Sequence, residues 1–528
     1  MLLKNFSRLS FRCSIVTAFG ILLFWAVEKP LREDELLHLH GAWMVSEGFL
    51  FYVDFFEHHA CLYHLTLAFA VPLFAPELSF ANASAFVLFC RLLSCSISLV
   101  GLVALAGFGR LWHSWRRGVL ALIILVTTPA FVECTIETRP DVPAFSCWMI
   151  SLLLLGWGGA NKKIPDKEES VSIGKERLGT VDGRPSETGS VHRAGNCFRY
   201  LLKAVLVRRS LFAGIVIGLG VIFTQKLLFV VPGLGLTLLV QIVVTPPKFR
   251  RKALLDLLLF ALGVCAFPFA LYLWFVSRNA GGDFLHSVFF VNASWPYREI
   301  PWKLLSYMMG DSWITIGFAC LGGGVIGGKM IRRREAADWL GITVLSSALL
   351  WIVGALFLIP VADQQFLMLF MPMIALLSAL GIEVWCSLVS EKLRSVFYGI
   401  LILVVVAVPT ETSVSRMNAS REGYQAIHDL QWVLENTNSQ DTVLDAWTGA
   451  GAFRQQYWHY GFVHREMPSL ITAEESAALV KILEQGEKLP AVVANDANLL
   501  GLNNSLRKFV ATNYVSTGRQ RLLLLRKR

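Results

Sequence analysis

The chain has 528 residues, of which 55% are hydrophobic and only 16% charged, and its mean hydropathy is +0.55. Soluble domains run nearer about 45–50% apolar and about 25% charged, so the composition excludes an ordinary soluble protein and defines a polytopic membrane protein. The net charge of +10 is no nucleic-acid signal, because Lys and Arg stand in short clusters between apolar runs, the pattern that positive-inside topology produces. Ten cysteines are scattered without a CxxC pair, mostly in or beside apolar segments, which argues against a disulfide framework or zinc knuckle.

The first apolar run, Phe11–Val27, follows Lys4, Arg8 and Arg12. Glu28-Lys29-Pro30 comes next where a signal peptide would have a small-residue cleavage site, so the run reads as a retained helix. Directly after it, Arg32–His64 gathers Glu33, Asp34, Glu35, Asp54 and Glu57 with His38, His40, His58, His59 and His64. Ionisable groups at a membrane edge are costly unless they are used, which makes this stretch the candidate active-site loop (residues 28–83). Leu36–Glu47 is predicted to be helical and to end at Gly48.

Further apolar runs follow at Ser84–Phe108, Gly118–Val132, Val142–Leu155, Leu211–Phe223, Leu227–Val244, Leu254–Val276, Trp313–Ile326, Trp339–Ile359, Phe366–Leu388 and Val396–Val408, giving with the first about eleven crossings. Basic clusters at Arg110/Arg116/Arg117, Lys248–Lys252, Lys329–Arg334 and Lys392/Arg394 all face the cytoplasm if the N-terminus does. The polar segment 159–210 then falls on the same side as a cytoplasmic loop. Cys61–Ala75 is apolar but short, with His64 and Pro72. A crossing there would flip every later basic cluster, so it is expected to be a non-spanning helix on the outer side. The fold class is thus mainly α, with a transmembrane domain over 1–410 and a small α/β domain over 411–528. This parity sets the first loop, Glu133–Asp141, Ser277–Asp311 and the C-terminal domain together on the extracytoplasmic face. In that domain, Gly423–Asn436 and Glu474–Glu484 are predicted helices, and Asp441–Trp447, Ala491–Asn495 and Gln520–Leu525 predicted strands.

Several residues on that face suit chemistry. Asp34 is either the cap of an interfacial helix or a general base for a hydroxyl acceptor. Glu57, His58 and His59 suit a divalent metal, phosphate, or a scaffold of hydrogen bonds. Asp141 opens a helix, and Arg139 has the fork geometry to grip phosphate. Lys226 is either a snorkelling lysine or a phosphate ligand. Arg298 and Gln365 lie at outer loop and helix ends.

Asp34-Glu35, His40-x-x-Trp43, Gly48 and Tyr52-x-Asp54-Phe55-Phe56-Glu57-His58-His59 together resemble the first outer loop of GT-C class membrane glycosyltransferases. The nearest pattern is that of the bacterial branch related to protein O-mannosyltransferases and lipid A aminoarabinose transferases. Arg139-Pro140-Asp141 resembles that branch's second acidic motif, and Gln365-x-x-x-x-Phe370-x-Pro372 its late-helix pattern; Ala60 stands where the branch usually has Pro after the histidine pair. The resemblance implies a polyprenyl-phosphate-linked sugar donor, a lipid, glycan or protein acceptor from the periplasmic side, and a place in the inner membrane among enzymes of cell-envelope glycan or lipopolysaccharide. It implies catalytic roles for Asp34 and Asp141. Substrate contacts would come from Glu35, His38, Tyr52, Asp54, His58, His59, Arg139, Lys226, Arg298 and Gln365. It also implies a metal-holding or orienting position at Glu57, with no cofactor obligatory. From another class, a transporter or flippase of lipid-linked sugars also explains the helices, but its ionisable groups belong in broken helices at mid-membrane. Apart from Arg91, those of this chain cluster at outer helix ends.

Overall fold

The structure, a computed structural model, describes residues 16–160, 208–244, 246–295, 302–332, 339–357, 364–419, 422–486, 488–519 and 521–525. Arg298 and most of the 159–210 loop lie outside the described residues. Among the described residues, each predicted apolar run lies largely on helix. The first five elements in order are α1 (Val16–Glu28), α2 (Glu33–Ser46), α3 (Leu62–Ala68), α4 (Val71–Phe74) and α5 (Phe80–Trp112). They are followed by α6 (Trp115–Thr127), α7 (Pro129–Ile136) and α8 (Asp141–Ala160), and then by helices from Arg209 to Ala419.

Among the described residues, four helices are long and apolar enough to cross a membrane: Phe80–Trp112, Gln225–Val243, Pro247–Val276 and Leu367–Ser387. A fifth joins them if the bent pair α6–α7 is one span. That pair is the main local departure from expectation. The run Gly118–Val132 is not one straight helix, because Thr128 is extended ahead of Pro129 and the axis turns by 76°. The residue before a proline is driven out of the helical region by the ring, and α7 therefore runs off at an angle that carries Glu133, Glu137 and Arg139 towards α2.

The bundle is built around Leu367–Ser387, the most enclosed of the four apolar helices. Close approach there requires glycine: a Cβ on Gly381 would stand 2.0 Å from the Phe318 carbonyl oxygen, and one on Gly322 2.1 Å from that of Leu377. Small residues let helix backbones meet where lipid gives no hydrophobic drive for association. Near the α5–α6 turn, the Arg117–Glu383 pair (2.6 Å) ties α6 to this helix.

α2 starts three residues before its predicted position. Its first turn holds Glu33, Asp34 and Glu35, whose charges suit the positive end of the helix dipole. It ends ahead of Gly48, at φ +94°. The Cys61–Ala75 segment divides into α3 and α4. Even taken together, Leu62–Phe74 reaches only about 20 Å, short of the roughly 30 Å hydrocarbon core.

After the long helix Glu391–Ala419 and the helix Glu422–Asn436 comes a five-stranded mixed sheet. Its strands are β1 (Thr442–Leu444), β2 (Gln455–Gln456), β3 (Val492–Ala494), β4 (Tyr514–Ser516) and β5 (Leu522–Leu525), in the order β2-β1-β3-β5-β4. β1 is parallel to β2 and β3, whereas β5 is antiparallel to β3 and β4. β1 is shorter than predicted because Asp445 turns the chain: its carboxylate accepts Thr448 Oγ1–H at 2.5 Å and Gly451 N–H at 3.0 Å. The short strands β2 and β4, and the helices Ala497–Gly501 and Asn504–Asn513, carry patterns too brief to announce themselves. This domain closes onto the first loop. Gly449, at φ +73°, lies against Leu36, Phe56 N–H donates to the His459 carbonyl (2.9 Å), and Arg454 Nη1 donates to the Glu77 carbonyl (2.9 Å). Leu36, Leu39 and Trp43 share one buried cluster with Ala426, Leu430 and Phe453.

Candidate active site

The first turn of α2 and the α7–α8 break meet through one guanidinium. Arg139 Nη1 lies 2.7 Å from Asp34 Oδ2 and 2.8 Å from Glu137 Oε2, and its Nε lies 4.0 Å from Asp141 Oδ2. Lys226, in the 3-10 turn after the Arg209–Phe223 helix, closes the arrangement from the other side. Its Nζ is 2.9 Å from Asp141 Oδ2 and 4.4 Å from the Phe366 ring centre. Glu137 also holds Lys29. Burial pushes the Glu137 carboxyl up, but Lys29, Arg139 and Arg32 outweigh it and hold the acid well below the usual carboxylate range. Asp141 and Arg139 are buried, whereas the Asp34 side chain is 27% exposed. Two buried atoms here, Arg139 Nε and Asp141 Oδ1, have no hydrogen-bond partner among the described residues.

Asp34, Arg139 and Lys226 border a cavity of about 1180 Å³ between the membrane helices and the C-terminal domain. Asp34, His38, His58, His59, Arg139, Lys226 and Gln365, all expected from the sequence, line it, with Leu228, Phe229 and Phe366 forming an apolar side. Other expected residues lie elsewhere. Glu35 is fully buried in a two-point pair with Arg91, at 2.6 and 2.9 Å. Tyr52 is buried and its hydroxyl donates to the His59 carbonyl at 2.9 Å. Asp54 is exposed, and its carboxylate accepts Leu50 N–H at 2.6 Å within a turn. Asp141 stands behind Lys226. The sequence reading missed the opposite wall, where Trp447, His464, Glu466, Asp496 and Arg521 come from the C-terminal domain. Asp496 follows the predicted strand Ala491–Asn495, but no motif surrounds it to mark a site.

Glu57 organises a second cluster behind the wall. Its Oε1 accepts the backbone N–H groups of His58 and His59 (2.9 Å each) and pairs with His59 Nδ1 at 2.7 Å. Its Oε2 is 3.5 Å from His64 Nε2, which meets His38 Nδ1 at 3.1 Å. Burial raises the Glu57 carboxyl, but His59, His64 and His58 outweigh it and hold the acid ionised. Burial, reinforced by neighbouring histidines, lowers His38 and His58 well below the ordinary imidazole value. Burial takes His64 to about 4. The imidazoles of His38, His58 and His64 are therefore neutral near pH 7, and His58 reaches the cavity as a hydrogen-bonding group rather than a cation.

A divalent metal fits one of these clusters and not the other. Between Asp34 and Asp141 stand two basic side chains, Arg139 and Lys226, already paired with these acids. In the histidine cluster, ligand-capable atoms of His38, Glu57 and His64 lie within 4.8 Å of one another, as do those of Glu57, His58 and His59. A carboxylate with neutral imidazoles is a donor set that suits zinc.

No protein-family model matches the sequence, and no curated protein matches it either. The fold nevertheless matches that of solved GT-C glycosyltransferases. ArnT from Cupriavidus metallidurans bound to undecaprenyl phosphate superposes with a TM-score of 0.61 at 11% identity, over 97% of this chain and 97% of that one. The Archaeoglobus fulgidus oligosaccharyltransferase in its apo form gives 0.56 at 12% identity, over 98% of this chain and 74% of that one. Its complex with Zn and sulfate gives 0.56 at 13% identity, over 97% and 73%. At such identities the likeness is one of fold.

Proposed function

We propose that the chain is an integral-membrane glycosyltransferase that moves a sugar from a polyprenyl-phosphate donor to an acceptor on the extracytoplasmic face of the inner membrane. In this reading the eleven apolar helices cross the membrane and the C-terminal domain is periplasmic. The observation that carries it is the meeting at one cavity of a partly exposed carboxylate, Asp34, with two buried basic side chains, Arg139 and Lys226. The fold likeness supports it, since the Cupriavidus metallidurans ArnT was solved with undecaprenyl phosphate.

The reaction is a single displacement. Asp34 takes the proton of the acceptor hydroxyl, the freed oxygen bonds to the anomeric carbon, and the bond from that carbon to the phosphate oxygen breaks with inversion. Asp34 is suited to this because its Oδ2 is held by Arg139 while Oδ1 keeps no protein partner among the described residues. The polyprenyl phosphate leaves as an anion, which Lys226 and Arg139 stabilise as preorganised charges. Leu228, Phe229 and Phe366 receive the adjoining prenyl chain. If an ion binds at His38, Glu57 and His64, it neutralises Glu57 and braces the loop behind the cavity.

Asp34→Asn in membranes supplied with a polyprenyl-phosphate sugar should lower transfer by roughly 10²–10⁴-fold, the usual worth of a general base. Full activity in that variant would end the base assignment. Single cysteines at positions 412 and 172 test the topology. The first should react with an impermeant reagent from outside and the second only from inside, and the reverse pattern would overturn the arrangement of the site.

A further inference from the structure

The two walls of the cavity differ in chemistry. On the membrane side lie Lys226, Arg139 and apolar residues that suit an anionic lipid. On the C-terminal side lie Trp447, His464, Gln425 and Asn498 together with Asp496 and the mutually paired charges of Arg465, Glu466 and Arg521. A run of aromatic rings crosses from the first loop into that domain. His58 meets Trp295 edge to face at 5.3 Å, Trp295 is parallel to His464 at 6.3 Å and 10°, and His464 meets Trp447 at 5.0 Å. Trp295 is 4% exposed, lines the cavity, and its indole Nε1–H has no hydrogen-bond partner among the described residues. Trp295 thus adds an indole ring to the cavity wall beside His58 and His464.

Beside the rings, Asp496 and Asn498 face the same cavity. Asp496 Oδ1 accepts the backbone N–H groups of Asn498 (2.7 Å) and Leu499 (3.4 Å), which holds the carboxylate still and leaves Oδ2 without a protein partner among the described residues. The wall's arginines are already engaged: Arg465 with Glu466 at 2.5 Å, and Arg521 with Glu33 at 3.1 Å and Asp429 at 3.7 Å. The wall is therefore poor at holding an anion and well supplied for a neutral polyol. Ring faces take the C–H faces of a pyranose, and a fixed carboxylate with an amide takes neighbouring hydroxyls.

We propose that this wall, formed by Trp295, Trp447, His464, Asp496 and Asn498, is a subsite for a carbohydrate acceptor, so that the enzyme extends or decorates a glycan rather than modifying a peptide or a lipid headgroup phosphate. The proposal rests on the glycosyltransferase reading and names its acceptor class.

The full chain in lipid nanodiscs can be applied to an array of neutral and phosphorylated bacterial oligosaccharides, with undecaprenyl phosphate binding measured in parallel. The wild type should retain neutral oligosaccharides. Trp447→Ala and Asp496→Asn should each weaken that retention about tenfold or more, Trp447→Phe should restore part of it, and undecaprenyl phosphate binding should stay unchanged in all three. Retention of no neutral glycan, retention of phosphorylated ones only, or equal retention by wild type and both variants would overturn the proposal. Failure of the wild type to bind undecaprenyl phosphate would instead count against the donor assignment, separately from the glycan result.

Discussion

Asp34 and Glu35 are consecutive carboxylates in the first turn of α2, and each is paired with an arginine, yet they face different worlds. Asp34 meets Arg139 at the cavity and keeps about a quarter of its side chain exposed. Glu35 points the other way, fully buried, and takes both its oxygens to Arg91. Arg91 in turn donates to the carbonyls of Ala26, Lys29 and Pro30, so that pair fixes the chain's exit from α1 and the entry angle of α2. One carboxylate is left partly open to the cavity while its neighbour helps hold the helix in place. Adjacent residues on a helix point about 100° apart, which is enough to separate the two tasks completely.

The comparison is broken or sharpened by substituting the two residues in parallel. Asp34→Asn, with its loss of transfer of up to about 10⁴-fold, should leave the melting temperature close to wild type, since Arg139 keeps Glu137 and partly exposed pairs contribute about 1 kcal/mol or less. Glu35→Gln should do the reverse. It strands Arg91 in a buried site, which typically costs about 3–5 kcal/mol, and should appear as poor expression and a lowered melting temperature in detergent. A Glu35→Gln protein that melts like wild type but has lost activity would mean that the roles of the two carboxylates have been exchanged.

A second contrast of the same kind lies in the C-terminal domain. Burial pushes Asp445 up to about 6 from an ordinary 3.8, against hydrogen bonds from Thr448 and Gly451 that favour its ionised form. Glu466 is also pushed up by burial, but His464 and Arg465 outweigh this and bring it to about 2. The signs are opposite. The folded state binds the Asp445 proton more tightly than the unfolded chain does, so that contribution is present below about pH 4 and is lost as the pH rises through about 6. For a shift of this size it amounts to about 3 kcal/mol. Glu466 contributes above about pH 4.5 and its share is lost only as the pH falls towards 2. Between about pH 4 and 6, therefore, melting of the full chain should carry a downward slope that Asp445→Asn removes, and a Glu466→Gln chain should keep that slope.

Much of this architecture is legible in the sequence because apolar periodicity and basic clusters are strong signals. Among the described residues, the eleven apolar runs lie largely on helix, and the expected helix after Arg32 forms. The dense first loop does reach a cavity through Asp34, His38, His58 and His59. What stays hidden is direction. Glu35 and Asp34 are equivalent in a linear reading, and only the packing of α5 against α2 sends one to Arg91. Tyr52 and Glu57 sit in the same motif as His58, yet the backbone folds back between Leu50 and Asp54 and turns them inward. The bend at Pro129 was written in the chain, but the length of the surrounding apolar run masked it. The C-terminal wall was least visible, because its strands are two to four residues long and its cavity residues come from loops without a motif.

The smallest effect concerns Lys226 and the acid behind it. Asp141 is enclosed and held by Lys226, and if Lys226 is the main phosphate ligand its ammonium must serve Asp141 and the donor together. Lys226→Met should then weaken undecaprenyl phosphate binding by about 10–100-fold, the worth of one hydrogen bond to a charged group, and Lys226→Arg should recover much of it. Because Asp141 loses its partner in the methionine variant, Asp141→Asn combined with Lys226→Met separates the two causes. If the single variant binds poorly only because an unpaired carboxylate repels the phosphate, the double variant should regain near wild-type affinity. If Lys226 contacts the phosphate directly, the double variant should stay weak. The second outcome is expected, since the ammonium projects both to Asp141 and to the ring of Phe366 at the cavity wall, where a phosphate reached by Arg139 would also lie.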